Sequence, residues 1–198
     1  LLGMFAILFP LYAFGSSASA ADTDLKLLTK SDTKNYKAAF KAAKRGHWTS
    51  AHQIAKRGRS KLPRKLLRWM NMTQRGTTAS FSEITRFIRQ NPTWPRMRWL
   101  QRRAEEAIDE NTGSAEILSW FAKHPPIKAD GLIALGEALI ESGKVSEGEA
   151  HLRRAWITGR FNRRSERLFL RQHRKMFTAE DHWQRLDGLL WKRHYRSA

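Results

Sequence analysis

Cysteine is absent from the chain. That excludes a disulfide framework and a thiolate-held structural zinc, so stability has to come from a packed core. Acidic residues are scarce, 18 Asp and Glu against 37 Lys and Arg, which leaves a net charge of +19. Such an excess steers a protein toward polyanions. Runs of alternating β-branched residues are missing, which argues against a sheet. The phosphate-cradling patterns G-x-x-x-x-G-K-[ST] and G-x-G-x-x-G do not occur, nor does the nucleophile pattern G-x-S-x-G. The histidines (His47, His52, His124, His151, His173, His182 and His194) are scattered and make no H-E-x-x-H spacing. No cofactor and no metal site is expected from these patterns.

What is present suits a core. Hydrophobic residues make up 41% of the chain, with eight Trp and ten Phe, and the charges are interleaved with periodic apolar positions. This is not the composition of a disordered basic tail.

The first charged residue is Asp22. Before it, Leu1 to Phe14 read LLGMFAILFPLYAF, followed by GSSASA ending in Ala18-Ser19-Ala20. An apolar core with an A-x-A-type cleavage site is the pattern of a secretory signal peptide, here with its positive n-region apparently truncated. The run falls short of the roughly 20 apolar residues of a membrane span. Residues 1–20 are therefore expected to be removed and the protein exported to the periplasm. Residues 21–33, ADTDLKLLTKSDT, are expected to form a flexible leader.

From residue 34 to 198 nearly everything has helical period. Tyr36, Phe40 and Ala43 share one face, and Gly46 reads as a left-handed stop. A second helix runs to Gly58, and Pro63 opens a third that Gly76 ends. Ser80 and Glu83 have capping-box spacing, with Ile84, Phe87 and Ile88 as the buried stripe that follows. Asn91-Pro92-Thr93-Trp94-Pro95 is a turn, because residues before proline avoid the α region. The next helix is drawn to Asn111-Thr112-Gly113, and further helices at about 114–123, 128–142, 145–158, 163–175 and 179–194. Short connections suggest an all-α fold, a superhelical stack of αα-hairpins of tetratricopeptide-like type. The turns at Gly46 and Gly143 echo one another weakly, each followed by small residues that let helices approach.

Several stretches together carry a resemblance. They are FIRQNPTWP (Phe87–Pro95), Leu100 to Glu105, ILSWF (Ile117–Phe121), LRRAW (Leu152–Trp156) and HWQRLDGLLW (His182–Trp191). In this order they resemble the N-terminal helical domain of proteobacterial soluble lytic transglycosylases. The resemblance implies a periplasmic scaffold, curled into a ring or horseshoe, that helps hold peptidoglycan glycan strands. In that family a C-terminal lysozyme-like domain cleaves the strand between N-acetylmuramic acid and N-acetylglucosamine, leaving a 1,6-anhydro sugar. One Glu there gives its proton to the glycosidic oxygen, then takes the proton of the C6 hydroxyl, which needs a raised pKa. That Glu is followed by Ser. The chain has one such pair, Glu141-Ser142, but it stands at a helix end before Gly143. No stretch supplies a lysozyme-like segment, so no catalytic residue is assigned and the implied partners are peptidoglycan, held weakly and electrostatically, and a separate catalytic domain. A free-standing tetratricopeptide-like interaction module is the alternative.

Other constellations have plainer readings. Glu105, Glu106, Asp109 and Glu110 lie beside Arg102 and Arg103, the pattern of a solvated, salt-bridged face. Trp69, Trp120, Trp156 and Trp191 have core spacing, whereas Trp94, in its turn, is the candidate for stacking on a sugar, with a hydrophobic staple as an equal explanation. The basic runs at Lys41–Arg45, Lys56–Arg59, Arg163-Arg164 and Arg171–Lys175 make a positive surface. Peptidoglycan carboxylates or anionic headgroups are its expected counterparts, a generally basic solvated surface with no specific partner is the plainer alternative, and nucleic acid is not expected of an exported protein.

Overall fold

The structure, a computed structural model, describes residues 28–193. The expected signal peptide at 1–20 and the Ala20 cleavage site lie outside the described residues. Among the described residues the fold is all-α, with no strand and ten α-helices. They are α1 (Lys30–Lys44), α2 (Trp48–Lys56), α3 (Lys61–Met72), α4 (Phe81–Gln90), α5 (Met97–Glu106), α6 (Ser114–Phe121), α7 (Ala129–Glu141), α8 (Val145–Thr158), α9 (Arg163–His173) and α10 (Ala179–Trp191). A 3₁₀ turn, Arg174–Met176, joins α9 to the segment before α10. None of the described helices is long and apolar enough to cross a membrane.

Most boundaries follow local chemistry. Ser80 and Glu83 form the expected capping box at α4. Gly46 and Gly143 adopt the left-handed conformation, φ 78° and 87°, that ends a helix at little cost. Several boundaries differ from the sequence reading; α3, for one, ends at Met72 rather than at Gly76. The leader drawn to residue 33 gives way to helix at Lys30, because the Thr29 side chain caps Asp32 N at 3.0 Å. Helix α5 stops at Glu106 rather than near Gly113. There Asp109 Oδ1 accepts from Asn111 N at 3.1 Å and from the Thr112 hydroxyl at 3.0 Å, a local turn that competes with the helical ladder.

The chain divides into two compact units between Arg68 and Trp69, inside α3. In the first, Tyr36, Ala39 and Ala43 of α1 meet Ala51 and Ala55 of α2 and Leu67 of α3. Tyr36 lies so close over Gly58 that a Cβ there would stand 2.4 Å from its ring.

The second unit has two apolar clusters. One gathers Phe81, Ile84 and Phe87 of α4, Leu100 and Ala104 of α5, and Trp120 and Phe121 of α6. The other is built on Trp156 of α8, whose ring stacks on Phe169 at 6.1 Å and on Phe177 at 5.4 Å. Helices α7 and α8, joined by a turn of three residues, pack with Gly136 against Gly148. A Cβ on Gly148 would stand 2.5 Å from the Gly136 carbonyl oxygen, so only hydrogen permits that approach.

Candidate functional site

Helix α5 separates two grooves of opposite character. The first, of about 710 Å³, lies between the end of α4, the start of α5 and the segment before α7. Ile88, Met97, Ile127 and the prolines Pro92, Pro125 and Pro126 give it apolar walls. Arg89 and Arg98 are exposed and Gln101 and His124 half-buried at its edge, and no carboxylate lines it.

Local structure positions these groups. Buried Asn91 ends α4 by donating its Nδ2 to Phe87 O at 2.8 Å, which turns the chain into Pro92. Arg96, in the left-handed region at φ 61°, then starts α5 and sets Arg98 and Gln101 on the groove side. Gln101 Nε2 donates to Pro125 O at 2.8 Å, and the His124 ring stacks on Trp120 with centroids 3.7 Å apart. The groove thus combines apolar walls with exposed guanidiniums, groups suited to contact an anionic or carbonyl-rich chain.

The second groove, of about 690 Å³, is acidic: Glu105, Glu106, Asp109, Glu110, Asp130, Glu137 and Glu141 all line it. Glu106, Asp109 and Glu110 are exposed, as the solvated-face reading has them, but the structure corrects that reading for Glu105. Glu105 is only 2% exposed and accepts from Ile127 N at 2.8 Å and Lys128 N at 3.1 Å. It ties the start of α7 to α5, and Gly131 stands where any Cβ would meet its carboxyl. Arg103, also buried, pairs with Glu106, which Lys128 approaches at 3.7 Å. Nothing in the local sequence distinguishes Glu105 from its neighbours; only the return of residues 127 and 128 to α5 buries it.

Burial pushes the Glu105 carboxyl above its ordinary value of 4.5; the two backbone N–H groups pull the other way, and Asp130 adds to the push. A folded-state pKa above the unfolded one means that the native protein binds this proton more tightly. The contribution of Glu105 to stability is then full below about 4.5 and declines as pH rises through the folded value. Glu105→Gln should therefore gain on the wild type in unfolding free energy as pH rises from about 4.5 toward neutrality. Urea titrations at several pH values measure this. A gap between the two proteins that does not change with pH would show that the buried carboxylate carries no such penalty.

The other singled-out residues are placed as follows. Glu141 is the exposed last residue of α7 and accepts from the Ser114 hydroxyl, as a helix-end residue rather than a buried acid. Trp120 and Trp156 are core residues as expected, and Trp69 is partly buried, its Nε1 donating to Pro95 O at 3.0 Å. Trp94, the stacking candidate, instead packs edge-on to Phe87 at 6.0 Å and is partly buried against the α4 cluster. Trp191, expected in the core, is 88% exposed, because the inward face of α10 is taken by Asp181, Arg185 and Leu189. Among the described residues no group of His, Asp and Glu is arranged to hold a metal ion.

No protein-family model matches the chain, and no curated protein or solved structure does so either.

Proposed function

We propose that the chain is the non-catalytic scaffold portion of a periplasmic soluble lytic transglycosylase, a stack of αα-hairpins that holds peptidoglycan glycan strands while a lysozyme-like domain cleaves them. The observation that carries this reading is the cationic groove beside the Asn91–Pro95 turn, one of the two stretches on which the family resemblance mainly rests. Stem-peptide carboxylates suit Arg89 and Arg98, and the apolar walls suit the faces of sugar rings. The tight α7–α8 pair, packed through Gly136 and Gly148, supports hairpins as the building unit. The position of Glu141 at an exposed helix end, hydrogen-bonded to Ser114, supports a binding role without chemistry.

The chain from Ala21 onward, incubated with peptidoglycan, should yield no 1,6-anhydro product by mass spectrometry. It should still sediment with sacculi, and binding should fall steeply with salt, since exposed charges are screened over about 8 Å at physiological ionic strength. Replacing Arg89 and Arg98 by Ala should weaken binding by at most about fivefold each, the scale of an exposed charge pair. Turnover that disappears in Glu141→Gln would make the chain an enzyme. Salt-insensitive binding abolished by Trp94→Ala would replace the electrostatic site with a sugar-stacking one.

A further inference from the structure

The positive charge is not spread evenly over the helices. On α9 the buried residue is Phe169, directed at Trp156. At 3.6 residues per turn, Arg164, Arg167 and Arg171 fall on the opposite side, and Arg174 continues the line in the 3₁₀ turn. All four are exposed. Their spacing of three, four and three residues draws one row of guanidiniums about 15 Å long. Arg167 Nε donates to Arg163 O at 3.2 Å, and among the described residues none of the four pairs with a carboxylate. The acid of this helix, Glu166, is held by Arg185 at 2.9 Å. Like charges at these spacings destabilise a helix, so the row lowers stability unless an anionic surface covers it.

One apolar group lies within the row, and others are exposed on the next helix. Leu168 is 40% exposed beside Arg164 and Arg171. On the next helix Trp183, Leu190 and Trp191 are exposed on the side away from Arg185 and Leu189, and Lys192 and Arg193 follow them. A polymer of phosphates or carboxylates would leave these apolar groups in water. A headgroup layer takes both kinds: guanidiniums meet lipid phosphates, while Trp and Leu settle at the acyl boundary. We infer that the outward face of α9, with the exposed tryptophans of α10, docks on an anionic phospholipid surface.

The inference is independent of the groove at Arg89 and Arg98. Its test is co-sedimentation of the chain from Ala21 onward, which keeps every described core residue, with phosphatidylcholine vesicles with or without phosphatidylglycerol. Binding should require phosphatidylglycerol. The triple change Arg164→Gln, Arg167→Gln, Arg171→Gln should weaken it about 100-fold, since a cation at such a surface is worth roughly fivefold. The change Lys37→Gln, Lys41→Gln, Lys44→Gln on α1 removes the same charge from other exposed positions and should cost less than about threefold, the effect of net charge alone. At about 1 M salt, where screening acts within about 3 Å, the residual binding should be lost in Trp183→Ser with Trp191→Ser. Circular dichroism identifies any variant that fails to fold, and for such a variant the single changes Arg164→Gln and Arg171→Gln replace the triple. Equal losses in the α9 and α1 variants would overturn the inference. So would absence of binding to phosphatidylglycerol vesicles. Binding to sacculi or duplex DNA that depends on the α9 row, without vesicle binding, would assign the row to that polymer instead.

Discussion

Arg185→Ala is expected to be the most damaging single change in the second unit. The guanidinium is 4% exposed and lies 4.1 Å over the Trp156 ring. Its Nη1 donates to Trp156 O at 2.7 Å and Gly159 O at 3.1 Å, and its Nη2 donates to Glu166 at 2.9 Å. Those two carbonyls terminate α8, so the side chain does for that end what a following turn of helix would have done. Truncation leaves two buried acceptors and a half-buried carboxylate without their partner, and opens a gap beside Trp156. The cost should be about 3–5 kcal/mol, the range for breaking a buried charge pair from one side. Lys should rescue little, since one ammonium cannot reproduce the planar fork over an aromatic face. Urea denaturation followed by tryptophan fluorescence measures the loss. A change below about 1 kcal/mol would mean that water replaces the guanidinium freely and that the network is not a stabilising one.

A paired glycine experiment should separate helix propensity from helix contact. Gly148 and Gly188 both lie inside helices, where Ala is ordinarily the better residue by about 1 kcal/mol. At Gly188 nothing lies within 4 Å of an added methyl, so Gly188→Ala should stabilise by roughly 0.5–1 kcal/mol. At Gly148 the methyl would meet the Gly136 carbonyl at 2.5 Å and the Ile140 side chain at 2.6 Å. Backbone cannot step aside as a side chain can, so α7 and α8 must separate, with a net loss of about 1–3 kcal/mol. Stabilisation in both variants would show that the two helices do not touch where the glycines place them.

The grooves show how far sequence reasoning reaches. The proline-flanked turn at Asn91–Pro95 was readable, because proline restricts its own backbone and that of the residue before it. That its far wall is made by His124 to Ile127, about 30 positions on, was not. For Trp94, set among turn formers, the sequence left sugar stacking and local packing both open, and Phe87, seven positions back across that turn, takes its edge. The capping boxes at Asn162 with Ser165 and Thr178 with Asp181 were legible in principle, as a polar residue facing another three positions on. Drawing those helices by period alone passed over them.

By itself the sequence determined where most helices lie, some of their caps, and inward stripes such as that of α4. These depend on interactions within a few residues: the 3.6-residue period, the reach of a Ser side chain to the N–H three positions on, and the freedom of glycine at positive φ. The tertiary structure alone decided which charges lost their water. Glu105 and Arg185 are buried because segments 22 and 29 positions away return to them, and Trp191 is exposed because the inward face of its helix was already filled. It also decided the row on α9, since an arginine spacing becomes a surface only once Phe169 finds Trp156 and turns the other side of the helix outward. Burial and facing are properties of pairs of elements, and composition does not encode which pairs form.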